Sequence, residues 1–232
     1  MLHLIVLTLF PEIFTSFMAC GLLQKAIEDK KIRLEFFNFR DFGIGKHKKV
    51  DDTPYGGGAG MVLRAEPIVE CLEHIQRKYQ DANLRKIILT PKGERFSQKK
   101  AVSLSRLEDP VILICGRYEG FDERIYEYVD EQISLGDFVM QGGEVAVMAL
   151  IESISRLKAG VIGNKESLDQ ESFQDSLLEY AQYTRPDDFR GSKVPEVLLK
   201  GNHQQIKKWR EESSLSRTKL IRPDLIEKPE KE

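Results

Sequence analysis

The chain has 232 residues, with 35 Lys and Arg against 37 Asp and Glu, and a formal net charge of −2. This length is enough for one large domain, or for a medium and a small one, with a proper hydrophobic core, so disulfide staples are unnecessary. The near-neutral total charge predicts no nucleic-acid partner for the chain as a whole. Cys20, Cys71 and Cys115 are widely spaced among apolar residues, and we expect reduced, core-packed thiols of a cytosolic protein. The four histidines have no partner at metal-ligand spacing, so no metal site is predicted.

The first apolar segment is MLHLIVLTLFP at the N-terminus. It is too short to span a bilayer and lacks the positive flank and cleavage site of a signal peptide. We therefore expect a central strand and no membrane partner.

Short runs rich in β-branched and aromatic residues then alternate with helical patterns, which indicates βαβ units and a mostly parallel sheet. Strands are predicted near residues 2–9, 32–39, 86–90, 111–115 and 131–135. Helices are predicted over residues 66–79, over residues 97–107 with Ser97 as the N-cap, and over the apolar segment EVAVMALIESISRL that begins at Glu144. We expect the last of these to be buried against the sheet and against a second subunit.

The pattern weakens and becomes acidic between Gly160 and Tyr183, which is typical of a linker. From Arg185 onward there are 12 Lys and Arg against 9 Asp and Glu, a net charge of +3, which leaves a net charge of −5 for residues 1–184. We expect short helices here, with a small core. Its predicted members are Leu198, Ile206, Trp209 and Leu215. The positive charge modestly favours an anionic partner such as RNA, although a solvated helical face would show the same excess.

Three glycine-bearing segments follow predicted strands: LTPKGE (89–94), CGRYEGFDER (115–124) and SLGDFVMQGGE (134–144). Ligands of open α/β sheets bind at this edge. One such glycine alone indicates only a turn, whereas three neighbouring loops favour a ligand site lined by main chain. Gly142 and Gly143, directly after an apolar run, indicate that something approaches the backbone closely.

The segment YGGGAGM (55–61) lacks the Gly-Lys-Ser/Thr ending of a phosphate loop. We interpret it as a mobile surface loop that becomes ordered over a ligand, and its composition is equally compatible with a flexible connector.

Several charged residues are candidates for chemistry. Arg117 and Glu119 lie within a predicted ligand loop, and Arg156 near the end of the buried helix needs an anionic partner or solvent. The acidic residues of the predicted linker are candidate general bases, and the sequence pattern does not distinguish well among them. They are Glu166, Asp169, Glu171 and Asp175.

YGGGAGMVLR, CGRYEGFDER, SLGDFVMQGGE, YTRP (183–186) and VPEVLLKGNHQQIKKWR (194–210) occur in this order. Together they resemble the bacterial tRNA (guanine-N1)-methyltransferases, the TrmD family of the SPOUT superfamily, over essentially the whole chain. The resemblance implies methyl transfer from S-adenosylmethionine to N1 of the guanine directly 3′ of the tRNA anticodon. It also implies an α/β fold with a mostly parallel sheet, helices on both faces and a trefoil knot, plus a small all-helical C-terminal domain.

Carried over by position, the resemblance assigns roles to individual residues. The implied donor-binding residues are Leu89, Thr90, Pro91, Gly116, Tyr118, Glu119, Ser134, Leu135, Gly136, Asp137, Phe138, Val139, Met140, Gly142 and Gly143. Arg156 matches the family's active-site arginine, and Glu171 stands where the family has the aspartate of an Asp-Ser-Phe triplet. The implied tRNA-binding residues are Arg185, Lys207, Lys208 and Arg210. Ser176, Ala181 and Gln182 depart from the glycine, proline and histidine common in the family.

The implied organisation is a knotted donor-binding domain (1–160), a linker (161–184) and a helical tRNA-binding domain (185–232). The resemblance further implies a cytoplasmic homodimer with its active site at the subunit interface, and it suggests Mg²⁺ as an assisting ion. Two alternatives stay open: a related SPOUT methyltransferase with another RNA target, and a non-catalytic RNA-binding homologue.

Overall fold

A computed structural model describes residues 1–163, 171–173 and 176–226 of the chain. The chain forms two compact units, Met1–Gly163 and Asn164–Glu232. Three of the candidate bases, Glu166, Asp169 and Asp175, lie outside the described residues.

The first unit is built on a five-stranded sheet. Its strands are β1 (Leu2–Thr8), β2 (Ile32–Asn38), β5 (Arg85–Arg95), β6 (Val111–Cys115) and β7 (Glu131–Ser134). Their order in the sheet is β2-β1-β6-β5-β7. All neighbouring strands are parallel. The α/β class and the five predicted strands are therefore confirmed.

Helices cover both faces of this sheet. They are α1 (Thr15–Met18), α2 (Gly21–Glu28), α3 (Ala65–Lys78), α4 (Gln98–Ser105) and α5 (Glu144–Ser155), with 3₁₀ helices at Pro11–Phe14, Phe39–Phe42 and Glu123–Tyr128. Leu4 and Val6 of β1 pack towards α2, α4 and α5, whereas Ile5 and Leu7 pack towards α3. Because both faces are buried, the strand reads as a continuous apolar run.

The predicted loop 89–94 lies within β5 and not after its end. Strand β5 continues to Arg95, and its pairing with β7 shifts register between Leu89 and Glu94. Leu89 and Glu94 both pair with Ile133, so residues 90–93 form a wide bulge that leaves the ladder and returns to it. Pro91 and Gly93 suggested a turn locally, and the longer pairing overrides that preference.

Two short strands, β3 (Asp51–Asp52) and β4 (Val62–Leu63), form an antiparallel pair around the glycine segment 55–61. Leu63 donates its N–H to Gly120 O (2.9 Å) and accepts from Asp122 N (2.9 Å). This end of the hairpin is thereby attached to the segment that follows β6.

A polar network joins the edge strand β2 to α3. The Glu35 carboxylate accepts hydrogen bonds from Lys78 Nζ (2.6 Å), His3 Nε2 (2.8 Å) and the Tyr79 hydroxyl. It also forms an ion pair with Arg33 at 2.9 Å. Burial raises the pKa of Glu35, but the hydrogen bonds from Lys78, Tyr79 and His3 prevail and lower it to about 2. Glu35 is therefore a carboxylate throughout the neutral range.

The second unit contains α6 (Glu196–Leu199), α7 (His203–Ile221), a 3₁₀ helix (Pro223–Leu225) and a hairpin of β8 (Asp188–Phe189) and β9 (Ser192–Lys193). The prediction of an all-helical C-terminal domain therefore omitted this hairpin, which turns at Arg190 and Gly191 with positive φ at both. Leu198, Ile206 and Trp209 are partly buried as expected, whereas Leu215 is 40% exposed.

Hydroxyl groups of α7 hold the segment that precedes the hairpin. Leu178 N–H donates to Thr218 Oγ1 (2.9 Å), and Ala181 N–H donates to Ser213 Oγ (3.0 Å). Ser214 Oγ donates to Leu178 O (2.5 Å). Residues at the end of the predicted linker are thus tied to the C-terminal unit by hydrogen bonds.

One expectation about the cysteines is wrong. Cys71 and Cys115 are buried thiols, but Cys20 is exposed at the start of α2. Apolar neighbours in sequence did not distinguish a core position from a helix N-terminus at the surface.

Candidate active site

A cavity of about 320 Å³ opens at the carboxyl edge of the sheet, among the segments that follow β6 and β7 and the bulge of β5. All but one of the predicted donor-binding residues line it: Leu89, Thr90, Pro91, Gly116, Tyr118, Glu119, Ser134, Leu135, Gly136, Phe138, Val139, Met140, Gly142 and Gly143. The exception is Asp137, whose exposed carboxylate pairs with Arg95 at 2.8 Å. The three glycine-bearing segments therefore form one site, as the strand-end argument predicts.

Sequence reasoning did not assign several other lining residues. They are Lys92, Gly120, Phe121, Tyr126, Ile133, Gln141 and Ala146. Arg117, which the sequence placed within a predicted ligand loop, lines the cavity as well. Most of the unassigned residues lie within the same three segments, so extending each motif to its full length would have included them. Ala146 follows Gly143 by three residues. Because residues three apart lie on the same face of a helix, the helical pattern that begins at Glu144 could have predicted that Ala146 lies near Gly143.

The close approach expected at Gly142 and Gly143 is an approach of protein to protein. A Cβ on Gly142 would lie 2.4 Å from Arg117 Nε, and one on Gly143 would lie 2.7 Å from Gly116 N. Gly143 N–H also donates to Gly116 O at 2.8 Å. The two glycines therefore let the segment after β7 pack directly on the segment after β6.

A buried carboxylate lies behind this contact. Glu144, the first residue of α5, is 1% exposed; it accepts from Thr8 Oγ1 at 2.8 Å and pairs with Arg117 Nη2 at 2.8 Å. The Arg117 guanidinium also lies over the Phe10 ring, 4.7 Å from its centroid. Burial, and secondarily the Glu144 charge, raise the pKa of the neighbouring Cys115 thiol well above its ordinary value. This thiol is therefore a protonated core residue.

The glycine segment 55–61 reaches the same loop. Glu119 N–H donates to Met61 O at 2.9 Å. At Gly60, where φ is +82°, a Cβ would lie 2.5 Å from the Glu119 side chain. Any side chain at this position would displace the Glu119 carboxylate, which lines the cavity.

Arg156 directly follows α5, whose first turn borders the cavity. With 12 residues at about 1.5 Å per residue, this helix separates its two ends by about 18 Å. The structure therefore does not bring Arg156 to the cavity of its own chain.

Glu171 belongs to the second unit, where the residues next to it are held by hydrogen bonds. Ser172 Oγ accepts from Glu179 N at 3.1 Å, and Phe173 N–H donates to Leu177 O at 2.7 Å. Glu171 is itself partly buried.

The basic residues of the second unit differ in their surroundings. Arg185, Lys207 and Lys208 are exposed, while Arg210 is partly buried with its guanidinium 4.6 Å from the centroid of the Tyr180 ring. Three of the four predicted tRNA-binding side chains are therefore accessible, and the fourth has a packing role within the unit.

Within residues 1–163, 171–173 and 176–226, each helix is too short or too polar to cross a bilayer. In the same ranges, no three His, Cys, Asp or Glu side chains lie together as metal ligands would.

Known proteins resemble this chain over nearly its whole length. A sequence profile described as tRNA (Guanine-1)-methyltransferase TrmD matches residues 2–228. A tRNA (guanine-N(1)-)-methyltransferase of Geobacillus kaustophilus is 50% identical over 96% of this chain and 90% of its own length. One from Clostridium botulinum (strain Loch Maree) is 51% identical over 96% and 91%, and one from Mycoplasmoides gallisepticum is 50% identical over 97% and 96%. With a match of this extent, the chain belongs to the TrmD family of tRNA (guanine-N1)-methyltransferases.

Proposed function

We propose that this protein transfers a methyl group from S-adenosylmethionine to N1 of the guanine directly 3′ of the tRNA anticodon. The observation that carries the proposal is the cavity at the carboxyl edge, which gathers fourteen of the residues assigned to the donor, in a chain half-identical to tRNA (guanine-N1)-methyltransferases. The family implies S-adenosylmethionine as the methyl donor.

The cavity suits a sulfonium nucleoside in size and chemistry. Ligand pockets begin at about 300 Å³ and combine apolar walls with a few polar groups. Here main chain of the segments 116–120 and 134–143 offers hydrogen-bonding groups for a base and a ribose, and Leu89, Leu135 and Met140 offer apolar walls. The Glu119 carboxylate supplies negative charge towards a cationic ligand.

The reaction needs a base, because guanine N1 carries a proton and is a poor nucleophile until that proton leaves. In the proposed mechanism Glu171 accepts the proton, and Arg156 stabilises the negative charge that develops on O6. The donor supplies the methyl carbon: the N1–carbon bond forms as the carbon–sulfur bond breaks, and S-adenosylhomocysteine leaves. Glu171 adds one methylene to the family's aspartate and keeps the same carboxylate.

The distance along α5 supports a homodimer with the active site at the subunit interface. Arg156 lies about 18 Å from the cavity end of its own helix, so it acts at the cavity of a second copy. Ile13, Leu22 and Val145 are large apolar side chains that stay exposed in the single chain. Covering them in a dimer would remove them from water.

We further propose that the polypeptide is knotted as in SPOUT enzymes. The close packing of Gly143 on Gly116 supports this topology, because it presses the segment after β7 onto the loop after β6. The mainly helical unit after the linker would bind tRNA phosphates through Arg185, Lys207 and Lys208. A tRNA substrate places the proposed activity in the cytoplasm.

The test of substrate choice uses tRNA transcripts that differ only at the nucleotide 3′ of the anticodon, with radiolabelled donor. We expect methylation of the guanine transcript alone. Equal labelling of all transcripts would favour a related enzyme with another RNA target. No labelling, together with no heat of donor binding in calorimetry, would favour a non-catalytic RNA binder.

The test of the base is Glu171→Ala. We expect kcat to fall by about 100-fold or more, the usual contribution of a positioned base, with donor affinity unchanged. Glu179→Ala, an exposed glutamate of the same unit, is the matched control and should keep parent activity. Near-parent methyl transfer by Glu171→Ala would exclude Glu171 as the base.

A further inference from the structure

The Glu144 carboxylate connects three elements at the carboxyl edge of the sheet. Thr8 ends β1, Arg117 follows β6, and Glu144 begins α5. Thr8 Oγ1 donates to Oε1 of Glu144, and Arg117 Nη2 pairs with Oε2, both at 2.8 Å. Oε1 therefore has a hydroxyl donor at the end of β1, whereas Oε2 meets Arg117 as an ion pair without hydrogen-bond geometry.

The burial of this carboxylate is not what helix formation requires. An acidic residue in the first turn favours a helix through its dipole, but it does so equally well when exposed to solvent. Glu144 is 1% exposed, and a buried ion pair is a weak source of stability because both charges lose their hydration. A well-packed apolar side chain would serve the core as well. The position therefore has a use other than stability.

The use we identify is the placement of Arg117. Its guanidinium, 23% exposed as a side chain, lies against the bare backbone of Gly142 and over the Phe10 ring. Arg117 and Gly142 also form an antiparallel bridge through their main chains. Glu144 thus holds the side chain of Arg117, while Gly142 holds its backbone.

The residues after Arg117 depend on that placement. Tyr118 has φ +58°, a left-handed conformation that is costly for a side chain of this size and that persists only where the surroundings impose it. Glu119 follows, and both residues line the cavity. Because Arg117 is held in place, the strained turn that follows it keeps one conformation, and Tyr118 and Glu119 therefore lie at fixed positions in the cavity wall.

We propose that Glu144 is a positioning residue for the methyl donor: by holding Arg117 and Thr8, it keeps the 116–120 turn in the conformation that binds the sulfonium nucleoside. It contacts the ligand only through Arg117 and the turn. This inference rests on the proposed function, since it assigns the cavity to the donor.

The experiment measures binding of S-adenosylmethionine to the full chain by calorimetry, and methyl transfer with saturating tRNA. Glu144→Gln keeps the size of the side chain and an oxygen for Thr8 but removes the charge that holds Arg117. We expect the donor Kd and the donor KM to rise at least tenfold, while kcat at saturating donor stays within about twofold. Glu70→Gln, at an exposed position of α3, is the matched control and should behave as the parent.

A second pair of variants protects against misfolding. Thr8→Val has nearly the same shape and lacks the hydroxyl, whereas Thr8→Ser retains it. We expect a several-fold weaker donor affinity for Thr8→Val and parent affinity for Thr8→Ser. A double variant, Glu144→Gln with Arg117→Gln, should lose no more affinity than the larger of its single variants, because both changes break the same anchor.

The outcomes separate this inference from the function beneath it. Folded Glu144→Gln with parent Kd would overturn the positioning role and leave the methyltransferase proposal intact. Equal losses in kcat and in donor affinity, or fully additive losses in the double variant, would also overturn it, since the anchor would then not act through Arg117 on donor binding. A parent protein that binds no S-adenosylmethionine would overturn both.

Discussion

The two compact units differ in what holds them together. In Met1–Gly163 the sheet is covered on both faces by large apolar side chains, each worth about 1.5–3 kcal/mol when fully buried. In the described part of the second unit, Thr218 is the one buried side chain, and hydrogen bonds from Leu178 and Ala181 to hydroxyls of α7 hold the chain. Such bonds contribute about 1 kcal/mol each.

This difference suits the two proposed tasks. A donor site made of glycine backbones needs neighbours fixed to a fraction of an ångström, and a close-packed core supplies that precision. A surface that binds tRNA phosphates needs accessible charge more than precision. We therefore expect substitutions in the first unit to alter donor binding, and those in the second to alter tRNA binding.

The largest effect should follow from Gly143→Ala. The residue has φ −81°, which alanine adopts freely, so the cost is purely steric: its Cβ would lie 2.7 Å from Gly116 N and 2.9 Å from Cys115 Cα. Since both neighbours are backbone, the loops must separate, and we expect donor affinity in calorimetry to fall about 100-fold. Gly163→Ala, which meets nothing within 4 Å, is the control. Equal behaviour of the two variants would contradict close packing as the basis of the site.

A second prediction concerns the polar network around Glu35 in the first unit. Glu35→Gln should lower the free energy of unfolding by about 2 kcal/mol at pH 7, because hydrogen bonds to a charged acceptor are lost. Donor affinity should be unchanged, since Glu35 lies on the edge strand and does not line the cavity. Urea unfolding measures the change in the free energy of unfolding. Glu12→Gln, at an exposed glutamate, is the control.

The pH dependence of the same variant has a definite sign. The pKa of Glu35 falls from 4.5 to about 2 on folding, so its stabilisation is complete above pH 4.5 and is lost as pH falls towards 2. The difference in the free energy of unfolding between the parent and Glu35→Gln should therefore become smaller as the pH falls from 4.5 towards 2. A gap that stays constant down to pH 2 would show that the charge of Glu35 is not its source.

A smaller effect is expected from Thr218→Val in the second unit. The change leaves Leu178 N–H without its acceptor and should cost about 1 kcal/mol. We expect faster amide hydrogen exchange at Leu178 and weaker tRNA binding, with donor affinity at the parent value. Thr184→Val, at an exposed position, is the control. A loss of donor affinity in Thr218→Val would break the proposed separation of tasks.

The smallest effect should come from single charges on α7. Lys207→Ala and Lys208→Ala should each weaken tRNA binding several-fold and reduce the slope of log K against log salt by about 1. Lys25→Ala, an exposed lysine of the first unit, is the control. If both α7 variants keep the parent slope, phosphate contacts lie elsewhere.

The parallel sheet was predictable because its strands are continuous apolar runs and α5 is apolar on most sides. The bulge of β5 was not, because Pro91 and Gly93 signal a turn locally and only the distant partner β7 shows that pairing resumes. The three segments that line most of the cavity were predictable for a chemical reason, because main chain that binds a ligand at strand ends often needs glycine. The individual donor-binding residues within them came from the resemblance to the family.

Glu144 was missed because an acid at a helix start ordinarily indicates an exposed residue that complements the dipole. Its burial depends on Thr8 and Arg117, and no local pattern joins these three. The expected role of Gly142 and Gly143 was incomplete for the same reason: their sequence revealed a close approach, while Arg117 and Gly116 as the groups that approach became visible only in the fold.

The contact between Thr8 and Glu144 spans 136 residues of sequence. A ribosome adding about 5–20 residues per second releases the second partner roughly ten seconds after the first. Throughout that interval the apolar strand β1 has only part of its final surroundings, since its neighbour β6 is also made late. In the nascent chain, β2 can therefore pair early with one edge of β1, while the other edge of this apolar strand stays unpaired until β6 is made. Chaperones that bind exposed apolar segments would find their substrate there.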